Sequence, residues 1–230
     1  MKTWDTNSGY KIIQVLSGRS NVFLLTNGVQ NILIDTNPKS KRNKLEKQLN
    51  NLKVNHIDYL ILTHTHFDHA GNTAFIQNKY KAKIIVHTSE ADYLKNGYSP
   101  LPQGSIFPTK ILIFLANKLH FRFLYEPCIA DIQAKETFNL SNFGFNAYIL
   151  YTPGHTIGSM SVIVDNEVAI VGDTMFGVLK WSIFPPYAND TKQMIKSWGL
   201  LLETNCSVFI PAHGSADCRL LVQNEYNKRK

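Results

Sequence analysis

Three imidazoles and a carboxylate fall within six positions in the run Thr63-His64-Thr65-His66-Phe67-Asp68-His69-Ala70-Gly71. Imidazole nitrogens with a carboxylate oxygen suit zinc and related first-row ions. His64 and His66 stand two apart, so an extended backbone sends both side chains to one side. Asp68 and His69 follow on the turn and can face a second ion. A lone histidine would more often be a satisfied polar residue. Four donors this close together point to a metal site.

The donors come directly after an apolar run, Ile57-Asp58-Tyr59-Leu60-Ile61-Leu62. A strand there would fix the backbone, while the loop after it lets the donors converge. Upstream, residues 22–26 and 30–34 flank Asn27-Gly28, a strong hairpin signal. Leu45, Leu49 and Leu52, at i, i+4 and i+7, predict a helix. After the donor loop, a helix is expected from about Gly71 and a strand at residues 83–87. The second half repeats this logic. Residues 145–151 lead to His155, residues 160–164 and 168–171 flank an Asp165-Asn166 hairpin, residues 191–203 read as a helix, and residues 208–210 lead to His213. Pattern alone predicts a mixed α and β domain, with helices able to lie outside two sheets. No linker divides the chain.

The His-x-His-x-Asp-His run resembles the signature of the metallo-β-lactamase fold superfamily of metallohydrolases. The resemblance extends in the family's order from about Asp35 to His213. Thr152-Pro153-Gly154-His155-Thr156-Ile157-Gly158-Ser159 looks like the family's later histidine turn. Val168-Ala169-Ile170-Val171-Gly172-Asp173-Thr174 supplies an acidic residue after a strand, and Ile210-Pro211-Ala212-His213-Gly214 a last histidine. Ile32-Leu33-Ile34-Asp35-Thr36 looks like the early acidic strand end. Two small departures are Asn37, where the family often has glycine, and Ala212, where Pro-Gly-His-Gly is common. Neither removes a ligand.

The resemblance implies an α+β fold, the four-layered αββα sandwich, over residues 1–230 as a single domain with metals at one edge between the sheets. It also implies the ligand set. His64, His66 and His155 would hold one ion, Asp68, His69 and His213 a second, with Asp173 bridging both. A carboxylate has two oxygens and is apt to span ions a few ångströms apart. Two divalent ions follow, zinc by default, with iron or manganese also suited to such ligands. A water between two cations would lose a proton near neutral pH and act as nucleophile, and the ions would stabilise the charge developing on oxygen. Asp68 could also orient that hydroxide or pass its proton to the leaving group. For Asp35 two roles stand side by side: a hydrogen bond to a ligand or its loop, or a cap on the loop before the helix.

Several residues narrow the branch. His66 stands where the di-iron flavoproteins carry glutamate. Asp173 stands where the broad-spectrum β-lactamases have cysteine or lack a bridging carboxylate. The segment Gly172-Asp173-Thr174-Met175-Phe176 is similar to that of the hydroxyacylglutathione hydrolases. The chain ends soon after His213, so no room is expected for their C-terminal glutathione-binding domain. The lactonases share the ligands too. The expected reaction is metal-dependent hydrolysis of an ester-like bond, a thioester or a lactone. The alternatives are a phosphodiesterase or nuclease on the same fold, and a mononuclear iron enzyme like the sulfur dioxygenases, whose Gly-Arg-Thr-Asp-Phe run is absent here. A non-catalytic metal-binding module is a further rival, but it would not need an open two-metal site.

Bulk properties agree with an enzyme of one large domain: 230 residues, 44% hydrophobic and 18% charged. The net charge of +7 could draw anionic partners. The excess is dispersed, concentrated only near Lys39 to Lys47 and in the tail Asn227-Lys228-Arg229-Lys230, which reads as a solvated helix face and tail. No basic groove with interleaved aromatics signals nucleic acid. Three cysteines, Cys128, Cys206 and Cys218, form no disulfide framework, and residues 1–20 lack a signal core, so a cytoplasmic location is expected. His56, His87 and His120 match no ligand position. Trp181, Phe184 and Tyr187 could wall a pocket or simply pack.

Residues 98–129 form an apolar insertion between the first donors and His155. Lys110, Lys118 and Arg122 interrupt it, so it is no transmembrane helix. Three readings remain open: core or a helix packed over the domain, a lid over the metals, or a dimer or membrane-surface contact. The lid reading predicts a small, partly apolar substrate. A homodimer is compatible with the insertion.

Overall fold

Alternation along the strands settles the layering. Phe23, Leu25, Ile32 and Ile34 belong to one buried cluster, and Leu24 and Leu33 to another, as side chains of period two must on opposite faces of a sheet. Both faces are apolar, so each sheet has to be covered twice. The computed structural model describes Met1–Lys230 and meets that demand with four layers, as the αββα sandwich requires.

The first sheet runs in chain order: β1 (Thr3–Asp5), β2 (Lys11–Leu16), β3 (Val22–Thr26), β4 (Asn31–Ile34), β5 (Tyr59–Ile61), β6 (Lys83–His87) and β7 (Ile132–Ala134). Its first four strands pair antiparallel, and β4 through β7 pair parallel. The second sheet contains β8 (Thr137–Asn139), β9 (Ala147–Tyr151), β10 (Met160–Val164), β11 (Val168–Gly172), β12 (Val208–Pro211) and β13 (Asp217–Cys218). Only β11 and β12 pair parallel there. Between the sheets, Phe23, Ile34, Ile61 and Ile85 meet Ile149, Val162, Ile170 and Ile210.

The helices are α1 (Arg42–Asn51), α2 (Phe67–Ala70), α3 (Thr73–Tyr80), α4 (Ala91–Asn96), α5 (Phe107–Lys118), α6 (Thr191–Glu203) and α7 (Arg219–Asn227). Leu45 and Leu49 of α1, Ile76 of α3 and Leu94 of α4 pack on Leu24, Leu33, Leu60 and Ile84 of the first sheet. Met194, Trp198 and Leu201 of α6, with Val222 of α7, pack on Ile163, Val171 and Phe209 of the second. Burial of each such side chain contributes about 1.5–3 kcal/mol.

Three details refine the expected pattern. The helix expected from about Gly71 is α3, and a one-turn α2 precedes it, separated from it by Gly71 and Asn72. The buried Asn72 side chain donates from Nδ2 to the carbonyls of Thr36 (2.9 Å), Asn37 (2.9 Å) and Pro38 (3.1 Å), tying the donor loop to the turn after β4. Leu52 lies past the end of α1 and is only partly buried, because the helix stops at Asn51. Within the apolar insertion Tyr125 and Cys128 join the core, while α5, at its centre, has no buried residue. It is tethered by Thr109 Oγ1, which donates to the Pro186 carbonyl at 2.7 Å, and by the return segment, where Phe123 stacks on Phe67 at 3.9 Å.

Candidate metal centre

Each donor named from the sequence leaves the C-terminal end of a strand. Asp35 follows β4, the 64–69 segment follows β5, His155 follows β9, Asp173 follows β11 and His213 follows β12. These strands point the same way within their sheets, so their ends open on one edge, where α/β folds commonly bind ligands. Cross-sheet bonds pin the edge: Met160 N donates to Thr63 O at 2.8 Å and Asn21 N to Ala212 O at 2.6 Å. Asn21 Nδ2 adds a bond to Pro211 O at 2.9 Å. Gly172 makes the turn into Asp173 with φ +54°, and a Cβ there would stand 2.7 Å from the Thr63 side chain. A larger residue would be strained and would push the sheets apart.

The structure brings all seven residues together. Three overlapping groups, His64-His66-His155, His64-His69-Asp173 and Asp68-His69-His213, each keep their donor atoms within 4.8 Å of one another. Asp173 joins them: Oδ1 lies 3.5 Å from His69 Nε2, while Oδ2 lies 3.5 Å from His155 Nε2 and 3.3 Å from His213 Nε2. Asp68 Oδ2 is 3.8 Å from His213 Nε2 and 3.4 Å from Arg19 Nε.

A second layer sets the imidazoles. Asp35 Oδ2 meets His69 Nδ1 at 2.8 Å, and the same carboxylate accepts from Thr63 N and Thr63 Oγ1, both at 2.8 Å. Asp35 therefore takes the first of the two roles weighed for it, bonding both a candidate ligand and its loop. His155 Nδ1 donates to the Tyr187 carbonyl at 2.9 Å. With Nδ1 engaged, Nε2 of each ring faces the cluster.

Charge follows burial and neighbours. Burial pulls His66 and His155 down to about 4 and His64 well below its usual value, so these rings are neutral with free lone pairs at pH 7. Burial opposes the charged form of His69 and His213 too, but carboxylates, Asp173 foremost, outweigh it and hold both above the usual value. Burial would likewise raise Asp173, yet His213, His69 and His155 keep it well below the usual carboxylate range. The centre favours positive charge between its carboxylates and offers neutral nitrogen beside it.

Comparison with known proteins identifies the lineage. Residues 17–213 match the metallo-beta-lactamase superfamily. The chain belongs to that superfamily. It is 32% identical over 211 residues to a probable metallo-hydrolase of Methanocaldococcus jannaschii, covering 87% of this chain and 90% of that one. It is 28% identical over 209 residues to the hydroxyacylglutathione hydrolase GloC of Haemophilus influenzae, covering 89% and 90%. An archaeal superfamily protein from Sulfolobus tokodaii shares the fold with a TM-score of 0.66 at 21% identity, over 96% of this chain and 85% of that chain. The chain is thus a metallo-beta-lactamase superfamily hydrolase.

Superfamily membership implies divalent metal ions, and the residues fit them. His64 Nε2, His69 Nε2 and Asp173 Oδ1 are buried without a hydrogen-bond partner. Buried polar atoms are rarely left so. All three belong to one of the overlapping groups, which is what a cation would satisfy.

Other histidines and aromatics stand apart or serve the rim. His87 is buried but stacks on Tyr151 at 4.4 Å and bonds Ser89, and it does not line the cavity. His56 bonds the Val29 carbonyl at the surface, and His120 is exposed. Tyr187 lines the cavity, Phe184 packs edge-on against Trp198, and Trp181 is exposed.

One residue escapes pattern reading altogether. Glu90, 1% exposed, sits between β6 and α4. Its Oε2 accepts from Thr65 N and Thr65 Oγ1, both at 2.6 Å, and its Oε1 accepts from Thr156 Oγ1 and Gly158 N. Thr65 separates His64 from His66, and Thr156 follows His155, so one carboxylate ties two donor loops. Only its place after a strand end hints at this. Glu90→Gln keeps the volume but turns an N–H₂ toward at least one backbone N–H. It is expected to cost about 1–3 kcal/mol, read by thermal unfolding, and to weaken metal uptake in a competitive chelator titration. Unchanged uptake would detach Glu90 from the centre.

Proposed function

We propose that the chain is a two-metal hydrolase that cleaves an ester-like bond, a thioester or a lactone, in a small substrate with an apolar part. The observation carrying this reading is the position of Asp173, whose two oxygens lie within 3.5 Å of imidazoles from both sides of the cluster. His64, His66 and His155 would hold one ion, Asp68, His69 and His213 the other, with Asp173 between. Zinc suits this nitrogen and oxygen set first, with iron or manganese next. When bound, such ions bring a water's pKa close to neutrality and stabilise charge developing on a carbonyl oxygen.

The chain's own groups do the rest. Asp68 faces the cavity and is placed to take the proton from the attacking water and hand it to the leaving group. Arg19 Nε, 3.4 Å from Asp68 Oδ2, holds that carboxylate in place. A cavity of about 500 Å³ opens over the cluster. Leu112, Ile113, Phe121 and Phe123 line its apolar side, with Phe176 and Tyr187 also on its wall. This wall would take up the apolar part of the substrate and keep bulk water off the reacting bond. The likeness to a relative named as a hydroxyacylglutathione hydrolase supports a thioester. In this reading residues 1–230 act as one domain in the cytoplasm, with the insertion at about 98–129 serving as a lid. No helix is long and apolar enough to cross a membrane.

The test is elemental analysis of the purified chain with thioester, lactone, β-lactam and phosphodiester substrates run on the same sample. About two zinc ions per chain with thioester or lactone turnover is the expected result. Turnover of bis-aryl phosphodiesters alone would move the reaction to phosphorus, and a single iron without hydrolysis would overturn the reading. Deleting residues 106–124 is expected to change the substrate range more than the metal content. Unchanged kinetics across an apolar substrate series would remove the lid.

A further inference from the structure

A helix rich in large apolar side chains that buries none of them in its own core has another apolar surface or lipid to meet. Helix α5, Phe-Pro-Thr-Lys-Ile-Leu-Ile-Phe-Leu-Ala-Asn-Lys, has no buried residue. Its Leu112, Ile113 and Ala116 line the cavity. Its other side is bare: Phe107 is 76% exposed, Phe114 65% and Leu119, just past its end, 77%. The loop after cavity-lining Phe176 is similar, with Val178, Leu179 and Trp181 all exposed. Large apolar side chains left bare in such numbers mark an interaction site.

Charge decides the occupant. From Gly97 to Tyr125 there is no aspartate or glutamate, while Lys110, Lys118 and Arg122 are exposed. Residues 178–181 contain no acid either, and Lys180 is exposed among them. Two copies meeting through this face would set the same cations against each other, with no acid in either segment to neutralise them. Anionic lipid headgroups complement them, and exposed Phe, Leu and Trp between cations suit the boundary of headgroups and acyl chains. We propose that α5 and the 178–181 loop dock on an anionic phospholipid surface. The cavity then opens at headgroup level, and an apolar-tailed substrate reaches the centre along Leu112 and Ile113. That delivery rests on the hydrolytic reading; the docking does not, so the test measures binding without turnover.

The full chain is sedimented with vesicles of phosphatidylcholine alone and of phosphatidylcholine with phosphatidylglycerol, at low and raised salt. Partitioning about tenfold or more in favour of the anionic vesicles, weakening as salt rises, is expected. Lys110→Gln and Lys118→Gln should each weaken it about fivefold. The triple variant Phe107→Ser, Phe114→Ser, Leu119→Ser should weaken it about tenfold or more with an unchanged unfolding midpoint, since all three side chains are exposed. Should that variant fail to fold, the lysine variants and the wild-type lipid comparison still decide. No sedimentation with anionic vesicles would overturn the proposal. So would a stable dimer by analytical ultracentrifugation that the serine variant splits, which would assign the face to a second copy.

Discussion

Asp173→Ala is expected to lower hydrolysis by about 10²–10³-fold or more in kcat/KM and metal content from about two ions per chain to about one. The expectation follows from position. Asp173 is 5% exposed, and it is the one carboxylate within 3.5 Å of His69, His155 and His213 together. Its removal leaves both sides of the cluster without a shared anion. It also withdraws the charge that chiefly holds His69 and His213 protonated above their usual values, so both should titrate lower in the variant, a shift readable by NMR of the metal-free chain. Asp173→Asn keeps the volume and one acceptor but not the charge. It should retain the fold and lose most of the second ion. Full loading with unchanged kcat/KM in either variant would remove Asp173 from between the ions.

Asp35→Ala should come next in size. The side chains of Asp35 and His69 are 3% and 0% exposed, and the same carboxylate accepts from Thr63 N and Oγ1. Removing it leaves a buried imidazole and a buried backbone N–H without partners. The expected loss is about 3–5 kcal/mol of stability and about 10–100-fold in metal affinity, since His69 loses the group that orients it. Asp35 also has φ +60°, a backbone region that asparagine tolerates better than alanine. Asp35→Asn therefore separates the two effects: stability should recover in part, while affinity stays low because the amide cannot replace a carboxylate opposite both His69 Nδ1–H and Thr63. Chelator competition and thermal unfolding on the same samples check this. An affinity equal to wild type in both variants would reduce Asp35 to a loop cap.

Much of the fold was legible where the local pattern is strong. Strands β3, β4, β6, β10 and β11 and helix α6 are long apolar or periodic segments bounded by turn residues, and they stand where the pattern puts them. The Asp165-Asn166 turn is an example, with φ +53° at both residues, a conformation those types accept readily. Short edge elements were not legible. β1, β7, β8 and β13 have two or three residues each, too few for a period to show, and they exist because a neighbouring strand offers them hydrogen bonds. The one-turn α2 was hidden for a related reason, since four residues are too few to show a helical period, whereas α3 begins close to the expected Gly71.

By itself the sequence determined which atoms this protein can offer to a cation. Donor chemistry is a property of residue type, and strands of apolar residues ending in His or Asp reveal where those donors emerge. His64, His66, Asp68 and His69 needed nothing more than their spacing. Only the tertiary structure decided what those donors meet. His155, Asp173 and His213 lie far along the chain and reach the first cluster because two sheets stack with their strand ends at one edge. The role of Glu90, bonded to Thr65 and Thr156, depends on the same stacking. So does the fate of α5, whose apolar sequence reads equally as core or as surface. Burial is set by what packs against a segment, and no neighbouring element covers the outer side of this one.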